Sequence, residues 1–244
     1  MKKNHWAHKN IGLVALLPLV IAIFACSFIT GTDTMITETQ TIALEGAETV
    51  SVALRMGAGE LVVSGGGNGL VDAEFTYKDE DWKPIIDYAT SGSEGTLSIE
   101  QPQATNLGLD NDRYGWDLQF NTDILYSSLE ITLGAGSSEI NLSQLAVSRL
   151  YLQLGAGQVE LDLTGSREID LEGNIRAGVG QLTILLPEDI GVVVDVDGGI
   201  GSINTDGLNQ TAQGYVNDAY GTTENTIRLD IEGGVGEINL RVVR

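Results

Sequence analysis

A phase slip, repeated along the chain, constrains the fold more than any other feature. From Arg149 to Leu163 the sequence reads RLYLQLGAGQVELDL. Apolar residues alternate up to a Gly-Ala-Gly corner and then resume in the opposite parity, with Leu150, Leu152, Leu154 and Ala156 on one side of the slip and Val159, Leu161 and Leu163 on the other. A strand has a side-chain period of two. A step of three therefore keeps both halves facing one interior only if the backbone bulges or bends at the second glycine. Glycine permits that bend because it has no Cβ to clash.

The slip occurs six times, centred on Ala58, Ala135, Ala156, Val179, Ile200 and Val235, each between two glycines. The next inward position falls three residues later, at Leu61, Ser138, Val159, Leu182, Ile203 and Ile238. Successive copies lie 77, 21, 23, 21 and 35 residues apart, so the middle four have a near-constant period and the long gaps hold insertions. A period of this size signals a solenoid. The expected architecture is all-β: a single-domain β-solenoid of short strands with glycine-apolar-glycine corners, plus an inserted flap or small sheet near the N-terminal end. The central residues are expected inside, at equivalent corners of successive coils. A dinucleotide-binding reading fails because no copy has the third glycine or leads into a helix.

Residues 1–25 read as a signal peptide: Lys2, Lys3 and Lys9 form a basic region, and Ile11 to Ala25 an apolar one ending in Ile-Phe-Ala-Cys. This layout resembles that of bacterial lipoproteins, which implies lipidation at Cys26. The rival is an uncleaved anchor, since residues 11–29 are uncharged and just long enough to span a bilayer. Residues 26–45 then read as a lipid-anchored tether and 46–244 as the solenoid domain, with its insert at about 79–126. Either route places the domain outside the cytoplasm and holds it at the membrane.

Removing the first 25 residues leaves ten basic against 34 acidic side chains, a net charge of −24. Such a surface repels phosphate backbones, so nucleic acid is not an expected partner. Both histidines, His5 and His8, precede Cys26, the one cysteine. The remaining chain cannot build a Ser-His-Asp triad, a Cys-His pair or a zinc site of the usual ligands, and it has no disulfide. No catalytic residue, cofactor or metal ligand is assigned. Asp110-Asn111-Asp112 opens like a calcium loop, but Tyr114 and Asn121 stand where ligands are needed.

Val50 to Met56 and Val71 to Tyr77 alternate as half-buried strands, as do Leu97 to Ile99 and Trp116 to Phe120 within the insert. Gly207 to Asn225 reads as a polar loop. Trp82, Tyr114 and Trp116 are either aromatics capping the first coil or a surface for a partner, and they are the candidate partner surface.

The GAG and GVG corners, the run ILLPEDIGVVVDVDGGIGSIN from Ile184 to Asn204 and the closing GGVGEINLRV resemble the toast-rack β-solenoid family, which includes the C-terminal domain of LiaF-type cell-wall stress response proteins. The stretch from Phe75 through Trp82-Lys83-Pro84 to Trp116-Asp117-Leu118 resembles a lipoprotein-like branch of it. The resemblance implies a non-catalytic binding or scaffold domain anchored at the envelope, with a role in envelope-stress sensing and an envelope protein or glycan as partner. The alternatives are a polysaccharide-binding or polysaccharide-acting solenoid, for which Asp110, Asp112 and Asp117 are the acidic set near aromatics, and a structural spacer.

Overall fold

The computed structural model describes residues 35–102 and 114–244. In chain order its strands are β1 (Ile36–Ile42), β2 (Thr49–Gly65), β3 (Val71–Tyr77), β4 (Ile85–Ser91), β5 (Glu94–Glu100), β6 (Gly115–Phe120), β7 (Leu125–Asn141), β8 (Ala146–Val147) and β9 (Arg149–Asp162). They continue with β10 (Leu171–Arg176), β11 (Val179–Pro187), β12 (Gly191–Asp197), β13 (Ile200–Asp206), β14 (Asn209–Thr211), β15 (Gly214–Val216), β16 (Thr226–Glu232) and β17 (Val235–Val243). A 3-10 turn at Glu80–Trp82 is the one helical element among the described residues.

Each coil is an arm leading into a glycine corner and an arm trailing out of it. In β2, β7 and β9 the strand runs unbroken through the corner; in the later coils the arms are the pairs β10/β11, β16/β17 and β12/β13. Leading arms form one parallel ladder in the order β5, β2, β7, β9, β10, β16, β12. Trailing arms form a second, in the order β6, β2, β7, β9, β11, β17, β13. Leu150 and Leu152 of one arm and Val159, Leu161 and Leu163 of the other join a single buried cluster, so the two ladders share one core as the phase slip requires. The corners stack in register: Ala58, Ala135, Ala156, Val179, Val235, Ile200.

That order is not the order of the chain. The C-terminal coil β16/β17 lies between β10/β11 and β12/β13, so the turn from Pro187 to Gly191 skips one level and the chain returns later to fill it. Buried Asn217 secures the crossing: its Nδ2 donates to the carbonyls of Pro187 (3.1 Å) and Ile190 (2.7 Å), and its Oδ1 accepts from the Val192 amide (2.9 Å).

The glycines act along the stack. A Cβ on Gly157 would overlap the carbonyl oxygen of Gly136 in the adjacent coil; Gly180 stands so to Gly157, Gly236 to Gly180 and Gly201 to Gly236. These four also have positive φ, which disfavours any other residue.

Three expectations need correction. The central corner residues are not inside: Val179, Val235 and Ile200 are 59%, 48% and 75% exposed, Ala135 and Ala156 are exposed, and Ala58 is half-buried. The core ends one step below the tip, where Leu154 on one arm and buried Val159 on the other close it, and the tip residue turns outward. The tether does not reach residue 45, because Ile36–Ile42 alternate as β1 along β3. Gly207 to Asn225 is not wholly loop: it contains the β14–β15 hairpin, whose β15 pairs with Val193 and Val194 of β12. The insert adds β5 and β6 to the two ladders as a further coil, while β4 lies antiparallel on β5 and β3 on β6.

Candidate binding surfaces

The fold brings Trp82, Tyr114 and Trp116 together and then hides most of them. The Tyr114 ring lies 6.4 Å from Trp82 and 6.0 Å from Trp116, which meets Phe75 edge-on at 5.9 Å. Trp116 is 1% and Tyr114 3% exposed, and only Trp82 is half-buried. The Tyr114 hydroxyl donates to the Trp82 carbonyl at 2.9 Å, and burial pushes its pKa up to about 12. This is a packed cap on the first coil, because alternation turns Trp116 inward with Leu118 and Phe120. Asp117 is on the opposite, exposed face of β6. Asp110 and Asp112, the calcium-like opening and Cys26 lie outside the described residues.

The cap also seals the first corner. Gln101 Oε1 accepts from the amides of Gly57 (2.6 Å) and Ala58 (2.9 Å), and its Nε2 donates to the Ala58 carbonyl at 3.2 Å. One side chain thus satisfies backbone groups on both sides of the corner residue. No pattern in the sequence marks Gln101 for this task.

A larger surface lies on the outer face of the leading ladder, where a groove of about 640 Å³ crosses five coils. Strand register lays out its floor: Glu130, Tyr151, Asn174, Asp230 and Asp195 form one row, and Thr132, Gln153, Arg176, Glu232 and Asp197 the next. Tyr151 is 42% exposed in the first row, flanked by Glu130 and Asn174. The lining has five carboxylates and one cation, Arg176, whose Nε is 3.0 Å from Glu232. An exposed ring among hydrogen-bonding groups suits a ligand with apolar faces and many hydroxyls, and the negative field opposes an anionic one. Outward positions of a strand are variable by nature, so sequence alone does not single out Tyr151.

Comparison with known proteins places this geometry. A family model described as the N-terminal domain of toast_rack matches residues 30–185. No curated protein matches. A solved structure from Clostridium sporogenes, described as a candidate cell adhesion protein, is 32% identical and superposes with a TM-score of 0.81 over 86% of this chain and 100% of its own. A candidate adhesin from Bacteroides fragilis is 15% identical, with a TM-score of 0.34 over 86% of this chain and 98% of its own.

Proposed function

The chain belongs to the toast-rack family, and on that premise we propose that it is a non-catalytic binding domain held outside the cytoplasm by its N-terminus, with the groove on the leading ladder as its binding face. The observation that carries the reading is the groove with Tyr151 exposed in a row of carboxylates and amides. The ligand is an uncharged or cationic polymer of the cell surface rich in hydroxyls, a glycan in the first instance. The adhesion role suggested for the Clostridium sporogenes protein supports binding to something outside the cell. Envelope-stress sensing, the narrower role implied by the family resemblance, would follow as a consequence of occupancy of the same face.

Attachment runs through Cys26. Incorporation of labelled lipid into the wild type and its loss in Cys26→Ala is the expected result; an unlabelled protein retaining Met1 supports the uncleaved anchor. Retention of the full chain in gels containing mannan, galactan or β-glucan tests the ligand. At least one gel is expected to retard the wild type, and Tyr151→Ala to run free at unchanged stability. No retardation in any gel, or equal retardation of the variant, contradicts the glycan reading.

A further inference from the structure

The two ladders end differently beyond the coil β12/β13. The leading arm is covered, since β15 pairs with Val193 and Val194 of β12 and β14 backs β15. The trailing arm has no such cover among the described residues: β13 pairs with β17 on one side and with no strand on the other, and all seven of its residues are exposed. Two of them are isoleucines, Ile200 at 75% and Ile203 at 40%, with exposed Val235 beside Ile200. Ile203 occupies the inward position that Leu182 and Ile238 fill as buried residues in the coils above. Natural edges are blunted by lysine, proline, bulges or a covering segment, and β13 contains no lysine or proline.

The edge beside β13 is open among the described residues, and the adjoining level is already occupied on the leading side. The hairpin stands at the next level of the stack on the leading side, where the leading arm of a second stacked copy would have to lie. A single extended strand fits there and completes the level that β15 occupies.

Charge says what kind of strand. From Ala177 to Ile227, which spans this coil, the hairpin and the following loop, there are seven carboxylates and no lysine, arginine or histidine. Asp195, Asp197 and Asp206 belong to the coil itself, and Asp218 stands against Asn209 of the hairpin at 3.0 Å. The slot also faces away from the N-terminal end: β1 closes the other end of the trailing ladder, eight strand spacings or about 38 Å from β13.

We propose that β13 accepts an extended, cationic segment of another polypeptide by strand addition. Main-chain hydrogen bonds to the free edge hold the segment, alternate apolar side chains cover Ile203 and the corner, and its basic side chains meet the carboxylates of this coil. This second site lies on the trailing arm and the glycan groove on the leading one; they share Asp195 and Asp197 of the coil β12/β13, and the strand-addition proposal does not rest on the glycan reading.

The probe is a seven-residue peptide of alternating lysine and valine, titrated into the full chain in detergent. Three comparators accompany it: the same peptide N-methylated at alternate amides, a glutamate-valine version, and the protein variant Ile203→Lys, whose substitution lies on an exposed strand and leaves the core intact. The expected result is saturable binding that weakens with salt, falls about tenfold or more on N-methylation and on Ile203→Lys, and slows amide exchange in β13 alone. The glutamate peptide is expected not to bind. Affinity unchanged by N-methylation reduces the effect to charge attraction and overturns the proposal, as does protection appearing elsewhere than β13. Self-association of the wild type that Ile203→Lys abolishes overturns it in favour of a second copy as occupant.

Discussion

The two ends of the stack are built from the same repeat and finished in opposite ways. At the proximal end β3 and β4 run antiparallel to the ladders, β1 runs antiparallel to β3, Gln101 bonds the first corner, and Trp116 and Tyr114 are packed under it. At the distal end the trailing strand β13 is bare and its corner residue Ile200 projects. A coil in a solenoid has no intrinsic end, because each is stabilised only by its neighbours. Interior coils are thus held to one glycine geometry, while the terminal coils alone are free to specify closure or an open edge.

The sharpest way to break this contrast is to place a methyl group at equivalent corners. Gly157→Ala, Gly180→Ala and Gly236→Ala each force a Cβ against a carbonyl oxygen held between two further coils. Each is expected to cost about 3 kcal/mol or more in a denaturant series. Gly201→Ala makes the same clash with Gly236, but β13 is terminal and can peel away. Its loss is expected to be about 1 kcal/mol, limited by the stability of that strand. Equal losses at Gly180 and Gly201 would mean that the ends do not differ in this way.

A smaller effect is expected at the proximal corner. Gln101→Ala strips two backbone amides of their acceptor, and the unfolding free energy is expected to fall by about 1 kcal/mol. Gln101→Glu keeps the acceptor but faces the Ala58 carbonyl with a second oxygen in place of the Nε2 donor, so it is expected to recover only part of the loss; no loss in Gln101→Ala would show that the amide bonds were misassigned.

The smallest effect distinguishes the proximal edge by its pH dependence. Burial alone would raise the Glu38 carboxyl, but hydrogen bonds from Lys83 (2.7 Å) and Tyr77 (2.8 Å) and the charge of Lys83 outweigh it, so the pKa lies below its ordinary 4.5. A carboxyl depressed in the folded state contributes stability above its unfolded pKa. That contribution starts to fade as pH drops toward 4.5 and is gone below the folded value. Because the pair is partly exposed, Lys83→Ala is expected to remove a few tenths of a kcal/mol at neutral pH and progressively less as the pH falls below 4.5. A difference that persists undiminished at pH 2 would contradict the assignment.

Much of this was legible in the sequence, and the boundary of legibility has a physical origin. The phase slip at Gly155-Ala156-Gly157 is a local consequence of strand period, so it located six corners, though not that of the β5/β6 coil, and of its inward positions Leu61, Val159, Leu182 and Ile238 are buried while Ser138 is half-buried and Ile203 exposed. It misled about Ala156 and Val179 because parity alone cannot say where the core ends within a corner. The place of β16/β17 was hidden because any coil of this repeat can stack on any other. What decides it is nonlocal: Asn217 bonding to Pro187, Ile190 and Val192. Among candidate site residues, the rings of Trp82, Tyr114 and Trp116 lie together, but aromatics at alternate positions serve a core as readily as a surface. Tyr151 sat unremarked at an outward position whose neighbours only the register supplies.

The coil β16/β17 lies inside the stack, and β13, which precedes it in the chain, is the distal edge. Amide hydrogen exchange along the trailing ladder tests it most directly. β17 is expected to be protected to the same degree as β11, with β13 the fastest to exchange of the three. Fast exchange in β17 alongside slow exchange in β13 would mean that the coils stack in the order of the chain, and the account would fail.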